Sequence, residues 1–553
     1  MSPIEREYFR VPRQDGGVYT RPAAADLAAL VERNRLLLAS YAFDLAGRPV
    51  QEFRAAARAE LAGLARRTTK RWGLAAAAWR KDAPLIVTGH QPQPFHPGVW
   101  MKNFLAGRLA QAVGGAAVNL VVDNDAAHGH VLRFPERAAA GSGTDEIRLS
   151  EVALAPPAGG AAFEEEPSER LRAAAFDEAL RHVPPPCADP LRRWAAAIEA
   201  AAPAAASLGE ALSIARRRVE EESGLRNLEL PVSALADTES FRFFVAWMLD
   251  GHESVHAAYN GALAEYRRAY RERSAAQPVP DLGRDGRRVE LPLWIWRAGG
   301  RRRRMWVEAQ GDPEPRARAS QAARPAAMVL LADGEAVATF SAAEVGDARV
   351  LAARLAGLRR AGWRIRPRAL AMTLFARLAL GDVFVHGLGG ALYDKVADAM
   401  FERLWGVRPP ETTLASCTVH LPLEAYPATP GDLERARRRV RDWRFNPDRL
   451  LPEPARGRPE FGALAGEKGR LIAQMPALRR DERHRAYLRT HEINAVLAAL
   501  DPSGPPAARA DLERIVRWLR YNAVLRNREY AVWLYPPEEL AAFYVGAATV
   551  RER

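Results

Sequence analysis

The residues best suited to chemistry gather in three short stretches. His90, Gln91 and His96 fall within GHQPQPFHPG at 89–98, just ahead of a helical pattern that also carries Asn103. Histidine in such a loop can donate to a phosphate or carboxylate, or move protons as acid and base. A helix start adds unpaired N–H groups and the positive end of a dipole, both suited to an anion. Asp123, Asn124 and Asp125, with His128 soon after, close a second apolar run. Carboxylates grouped after a strand can hold an ammonium group, hydroxyls or a metal ion; the same residues also make an ordinary Asx-rich turn. Far downstream, His386 opens HGLGG at 386–390, with Tyr393 and Asp394 close behind. Gly387, Gly389 and Gly390 would let backbone approach a phosphate closely, and Arg366 and Arg368 could supply further anion contacts. These assignments make His90, His96, Asp123 and Asp125 the candidate catalytic residues. Gln91, Asn103, Asn124, His128, Arg366, Arg368, His386, Tyr393 and Asp394 are candidate substrate contacts, and the three glycines candidate cofactor contacts. No metal ligands are assigned.

The surrounding pattern says what must position them. Pro84–Thr88 is a short apolar run of strand length, Val99–Val113 reads as a helix stopped by Gly114 and Gly115, and Val118–Val122 is a second strand. This is a βαβ unit. Both polar loops leave the same end of its strands, where open α/β sheets place their ligands. Asp382–His386 reads as another strand, followed by a helix over Ala391–Trp405 that Gly406 ends.

The expected class is α/β, with a Rossmann-like core split by an insertion. Residues 1–80 form an N-terminal helical cap and 81–135 the first half of the core. Residues 136–324 are a mostly helical insertion, 325–430 the second half of the core, and 431–553 a C-terminal helical hairpin or short coiled coil. That last region makes a homodimer the expected assembly.

Three other motifs compete for attention. His252-Glu253-x-x-His256 matches the H-E-x-x-H pattern of zinc proteases. It would make a zinc-dependent hydrolase, but no third ligand follows clearly and Asp250 places a charge beside it. Cys417 lies three residues from His420, which on a strand puts them on opposite faces and favours a buried structural thiol. Arg301–Arg304 reads as a basic hairpin tip between two apolar runs.

Composition narrows the classes further. With 553 residues, 48% hydrophobic and 27% charged, the chain can build a large core and is neither disordered nor fibrous. Two cysteines cannot form a disulfide framework. No apolar run is long enough for a membrane span and no secretory signal is evident, so a cytoplasmic location is expected. A net charge of +13 raises the alternative of a non-catalytic nucleic-acid or partner-binding protein. The excess is almost all arginine in an alanine-rich chain, which a GC-rich coding sequence produces equally well, so no nucleic-acid partner is expected.

TGHQ at 88–91, VVDND at 121–125, Arg366-Pro367 and HGLGGALYDKVADAMFERLWGVRPP at 386–410 together resemble the cysteine-adding enzyme family of bacillithiol biosynthesis. The spacing of His90 and His96 is also loosely similar to the paired histidines of nucleotidyltransferases. The resemblance implies a nucleotidyltransferase-type Rossmann core, a C-terminal coiled coil, an amide-forming ligation and a nucleotide (ATP or ADP) as cofactor. The chain departs from that family where DND replaces E-D-H-D, where the glutamate of the glycine-rich segment is absent, and where FHPGVWMKN follows GHQ. A small polar or anionic substrate other than the family's is therefore expected.

Overall fold

The structure is a computed structural model that describes residues 4–75, 77–127, 130–137, 147–156, 159–311 and 326–547. The apolar runs on either side of the first polar loop become Leu85–His90 and Ala116–Val121, adjacent and parallel. Their alternation feeds two cores. Ile86 packs with Leu105 and Leu109 on one face, while Leu85 and Val87 join Phe244, Phe375 and Met400 on the other. A sheet covered on both faces is the setting in which strands read as continuous apolar runs.

Six strands make this sheet, in the spatial order Gly17–Arg21, Thr413–Thr418, Val383–His386, Leu85–His90, Ala116–Val121 and Leu228–Pro231. The first is an antiparallel edge and the other five are parallel. From Leu85–His90 the chain builds outward in one direction, then returns to build in the other. The order reverses between Leu85–His90 and Val383–His386. At such a reversal, the loops leaving the two strands diverge to opposite faces and open a crevice.

A second, antiparallel sheet runs Glu335–Ser341, Ala327–Ala332, Arg303–Gln310, Arg288–Arg297 and Trp363–Pro367. Its Leu293, Ile295, Val307 and Leu330 are fully buried in the larger core. Residues 327–341 and 363–367, expected within the second half of the Rossmann-like core, belong here instead. Only Val383–His386 and Thr413–Thr418 of the 325–430 segment join the parallel sheet. Conversely, Leu228–Pro231, expected inside a helical insertion, completes that sheet. The physical reason is local: tight turns such as Asp333-Gly334 close antiparallel neighbours directly, whereas parallel strands need a long crossover.

Other boundaries also shift. The helix expected over 238–274 breaks at Gly251 into Glu239–Asp250 and His252–Tyr270. The helix expected from Ala391 starts earlier, at Leu388. No described helix is long and apolar enough to cross a membrane.

The described residues of 135–149, together with 422–527, form a separate compact unit. In it, Pro430–Phe445, Pro459–Gln474, Arg480–Ala499 and Gly504–Leu525 are helices, with a small core of Trp443, Leu451, Ile493, Leu497 and Ala508. Gly504 lies against Trp443 so closely that a Cβ there would stand 2.1 Å from the indole.

Candidate functional site

A cavity of about 640 Å³ opens at the carboxyl edge of the parallel sheet, where the strand order reverses. Gly89, His90 and Gln91 reach it from one central strand, and His386–Gly390 and Tyr393 from the other. His96, Gly98 and Lys102 come from the intervening helix, Asn124 and Asp125 from the next strand's loop, and Trp294, Arg302 and Arg368 from the antiparallel sheet. Tyr259, Gln93, Thr373, Ser416, Arg528 and Glu529 add further polar groups to its lining. The structure thus brings together His90, Gln91, His96, Asn124, Asp125, Arg368, His386, Gly387, Gly389, Gly390 and Tyr393 from the residues expected at the site.

The two histidines of the first loop are neutral groups. His96 is the N-cap of Pro97–Ala112, and its Nδ1 accepts from the Gly98 N–H at 3.1 Å. Its proton therefore sits on Nε2. Burial, then Arg528 and Lys102, push its pKa down to about 4. His90 lies at the end of the strand rather than in the loop. Its Nδ1 donates to the Gln91 carbonyl at 2.8 Å, which leaves Nε2 as a buried lone pair without a partner. Burial, Lys102 and Arg216 hold its pKa well below the usual range. Neither ring meets an anion as a cation. His96 can donate, and His90 can accept from a hydroxyl or amine.

The helix start after His96 offers less than expected. Pro97 has no N–H, Gly98 is taken by the His96 ring, and Val99 donates to the His96 carbonyl at 2.9 Å. The other helix start is open. Leu388–Trp405 has Gly387 as its N-cap with no side-chain cap, so the first-turn N–H groups of Leu388, Gly389 and Gly390 are available. The expected glycine turn is this helical turn itself. A Cβ on Gly389 would meet nothing within 4 Å, which marks an open approach.

Lys102, which sequence reasoning passed over, lies between these two features. It is 5% exposed, and its Nζ donates to the Gly89 carbonyl at 2.8 Å. No described carboxylate pairs with it. Burial pushes its pKa down to about 8. An ammonium buried without a counter-charge is costly, and such a group beside a cavity is a functional-site candidate. Its signal in the sequence was a lone lysine in the first two turns of an apolar helix.

His386 stacks on Phe384, and its Nε2 lies 3.3 Å from Asp394 Oδ2. Asp394 is itself paired with Arg377 at 3.0 Å. Burial opposes its charge, but Arg377 and then His386 outweigh burial and hold the carboxyl below its usual range. Asp394 therefore stands behind His386 as an orienting group and does not line the cavity. The opposite wall is cationic and aromatic. Arg368 and Arg302 stand 4.0 and 4.8 Å from the centre of the Trp294 ring. Arg302 does lie at the tip of the hairpin between Arg288–Arg297 and Arg303–Gln310, but its side chain turns inward and pairs with Asp125 at 2.8 Å. Gln91 donates to the other Asp125 oxygen at 3.0 Å. Asp125 is thus already neutralised and is not free to hold an ammonium group.

Other expected site residues serve the frame. Asp123 accepts from the Ser233 N–H at 2.8 Å and from the Ser233 hydroxyl, tying two strand ends together. Arg366 is bidentate to Glu164 at 2.8 Å and reaches Asp237 at 3.0 Å. Asn103 donates to Glu220 at 2.7 Å, behind the helix. All three are buried away from the cavity, because each side chain finds a fixed partner there. His128 lies outside the described residues.

Burial, then the charge of Glu164, push the Asp123 carboxyl up to about 7, against its Ser233 bonds and Arg366. A carboxyl whose folded pKa is raised from 3.8 favours folding while protonated; that advantage fades as pH rises from about 4 to 7. Asp123→Asn is expected to flatten the wild type's loss of stability over that window and to leave ligand affinity unchanged. Urea unfolding at pH 5 and 8 tests the first part. A large affinity loss would return Asp123 to the site.

The H-E-x-x-H residues are fastenings. His252 Nδ1 lies 2.9 Å from the Leu249 carbonyl, and His256 Nε2 lies 3.1 Å from that of Gly283. Each nitrogen must carry a proton there, so each ring has spent that position on backbone. Glu253 is paired with Arg284. Among the described residues, no three His, Cys, Asp or Glu side chains gather as a metal site. Cys187 and Cys417 are buried, and burial pushes both thiols up to about 12, far from a reactive thiolate.

A scan against protein-family models finds no match for this chain, and a search of the curated proteins finds none.

Proposed function

We propose that this chain is an enzyme that binds a small anionic substrate where the parallel sheet reverses, and transfers a group from it to an amine or thiol. The observation that carries the proposal is Lys102, a buried ammonium with no carboxylate partner among the described residues, beside a large cavity. Its charge is best repaid by a bound anion. The free N–H groups of the Leu388–Trp405 helix would share that anion. His386, oriented by Asp394, is the candidate to take the proton of the attacking nucleophile, and His90 Nε2 a candidate acceptor for a substrate hydroxyl or amine.

Two further considerations support a ligase or related transferase. The order of the five parallel strands, which reverses beside Leu85–His90, is compatible with a Rossmann-type sheet, and this supports a nucleotide as the anion. The segments at 88–91, 121–125 and 386–410 resemble the cysteine-adding enzymes of bacillithiol biosynthesis. Asp125 is neutralised by Arg302 and Asp123 lies off the cavity. The amino-acid ammonium of that family's substrate therefore loses its expected carboxylates, and a different substrate is proposed.

Thermal unfolding with nucleotides, sugar phosphates, carboxylates and amino acids tests this. A true ligand at a hundredfold its Kd should stabilise the protein by about 2.7 kcal/mol. With that ligand as substrate, His386→Asn is expected to keep binding and lose turnover by roughly 10²- to 10⁴-fold. The reading fails if no anion stabilises the wild type.

A further inference from the structure

The C-terminal stretch returns to the main unit at Arg528 and puts a second cation into the cavity. Arg528 is half-buried. Its Nε donates to Thr418 Oγ1 at 3.1 Å, and one terminal nitrogen donates to Ser416 Oγ at 3.0 Å and to the Cys417 carbonyl at 2.8 Å. All these partners are neutral. No described carboxylate lies within ion-pair distance; Glu529, its chain neighbour, also lines the cavity, but without an ion pair to it.

Its place is defined by Gly98. A Cβ at that position would stand 2.6 Å from an Arg528 terminal nitrogen and 2.7 Å from Ser416 Oγ. Only a residue without a side chain lets the guanidinium sit over the helix start. Lys102 is one helical turn further on, on the same face. Its aliphatic chain in turn lies 3.7 Å from where a Cβ of Gly387 would be. Arg528, Lys102 and the open turn at Leu388–Gly390 therefore follow one another along one side of the cavity. His96, at the same helix start, feels both cations. The other cavity arginines differ: Arg302 is matched by Asp125 and Arg368 by Glu290.

Building on the proposed anionic substrate, we infer that Arg528 and Lys102 form a clamp for a phosphoryl group. Two unmatched positive charges suit a doubly charged group. Three terminal oxygens arranged about phosphorus let an ammonium, a guanidinium and backbone N–H groups each take a separate oxygen, whereas a carboxylate offers two oxygens in one plane. The clamp makes the returning stretch after residue 527 part of the site.

Calorimetric titration of the full chain with inorganic phosphate, pyrophosphate, AMP and malonate tests this. The phosphoryl compounds should bind more tightly than malonate. Arg528→Gln and Lys102→Met should each weaken pyrophosphate by tenfold or more. Arg301→Gln, which removes the same charge from an exposed position, should have no effect. If Arg528→Gln unfolds, Arg528→Lys keeps a charge but loses the planar fork, and should still cost several-fold. If malonate binds and the phosphoryl compounds do not, the clamp is wrong while the anionic site stands. Equal pyrophosphate affinity in folded Arg528→Gln and wild type also overturns it. If no anion binds, both readings fall.

Discussion

Lys102→Met is expected to make the protein more stable and to cripple ligand binding. The ammonium is buried with one neutral hydrogen bond and, among the described residues, no counter-charge. Burial lowers its pKa from 10.5 to about 8. Below pH 8 the folded chain carries that charge at full cost. Between about 8 and 10.5 the folded state sheds its proton while the unfolded chain keeps its own, so this contribution improves as pH rises. A methionine of similar length removes the cost. The variant should gain up to about 3 kcal/mol at pH 7, a gap that closes towards pH 10.5. Affinity should drop by about tenfold to a hundredfold, the worth of one charged hydrogen bond. Denaturant titrations of both proteins at pH 7 and 10 measure the first effect. A less stable methionine variant at pH 7 would mean that Lys102 holds the fold rather than a ligand.

Arg216→Met should have the opposite outcome. Arg216 joins both oxygens of Glu220 at 2.7 Å and Glu229 at 2.6 Å. Both carboxylates are fully buried. Trp100 and Asn103 donate to Glu220, and Asn119 to Glu229. The arginine therefore fastens the Leu208–Glu222 helix to the sheet through Glu229, while its partner Glu220 ties that helix to the one that carries Lys102. Removing it strands two buried carboxylates, a loss of about 4 kcal/mol. The loss should be smaller at pH 5 than at pH 8, because the stranded acids can then take up protons. A loss below about 1 kcal/mol would show that water or another cation replaces Arg216.

Much of the frame could be read from residue order. The apolar runs near 85 and 118, the glycine stop at 114 and the turn at Asp333-Gly334 each have a local cause. The histidines and acidic loop of the cavity could be read in the same way, because loops at one strand end must share an edge. The rest depended on partners chosen at a distance. Nothing local separates Asp123, which finds Ser233, from Asp125, which finds Arg302. Within Arg301–Arg304, only the fold decides which guanidinium turns inward. Arg528 carries no local signal; its meaning comes from Gly98, far upstream. The edge strand Gly17–Arg21 was hidden in a polar start because it pairs on one side only.

The central pairing of the sheet, Thr88 with Val385, joins residues 297 positions apart. Closing so long a loop takes entropy before the contact gives anything back. Leu85–His90 and Ala116–Val121 can meet early through one short helix. Until Val383–His386 arrives, the other flank of Leu85–His90 is a bare apolar edge that can recruit another chain. A ligand held by Lys102 and the Leu388–Gly390 turn would bridge the early and late partners. Its presence during synthesis should therefore raise the yield of folded chains, making the ligand a chaperone for the chain that binds it.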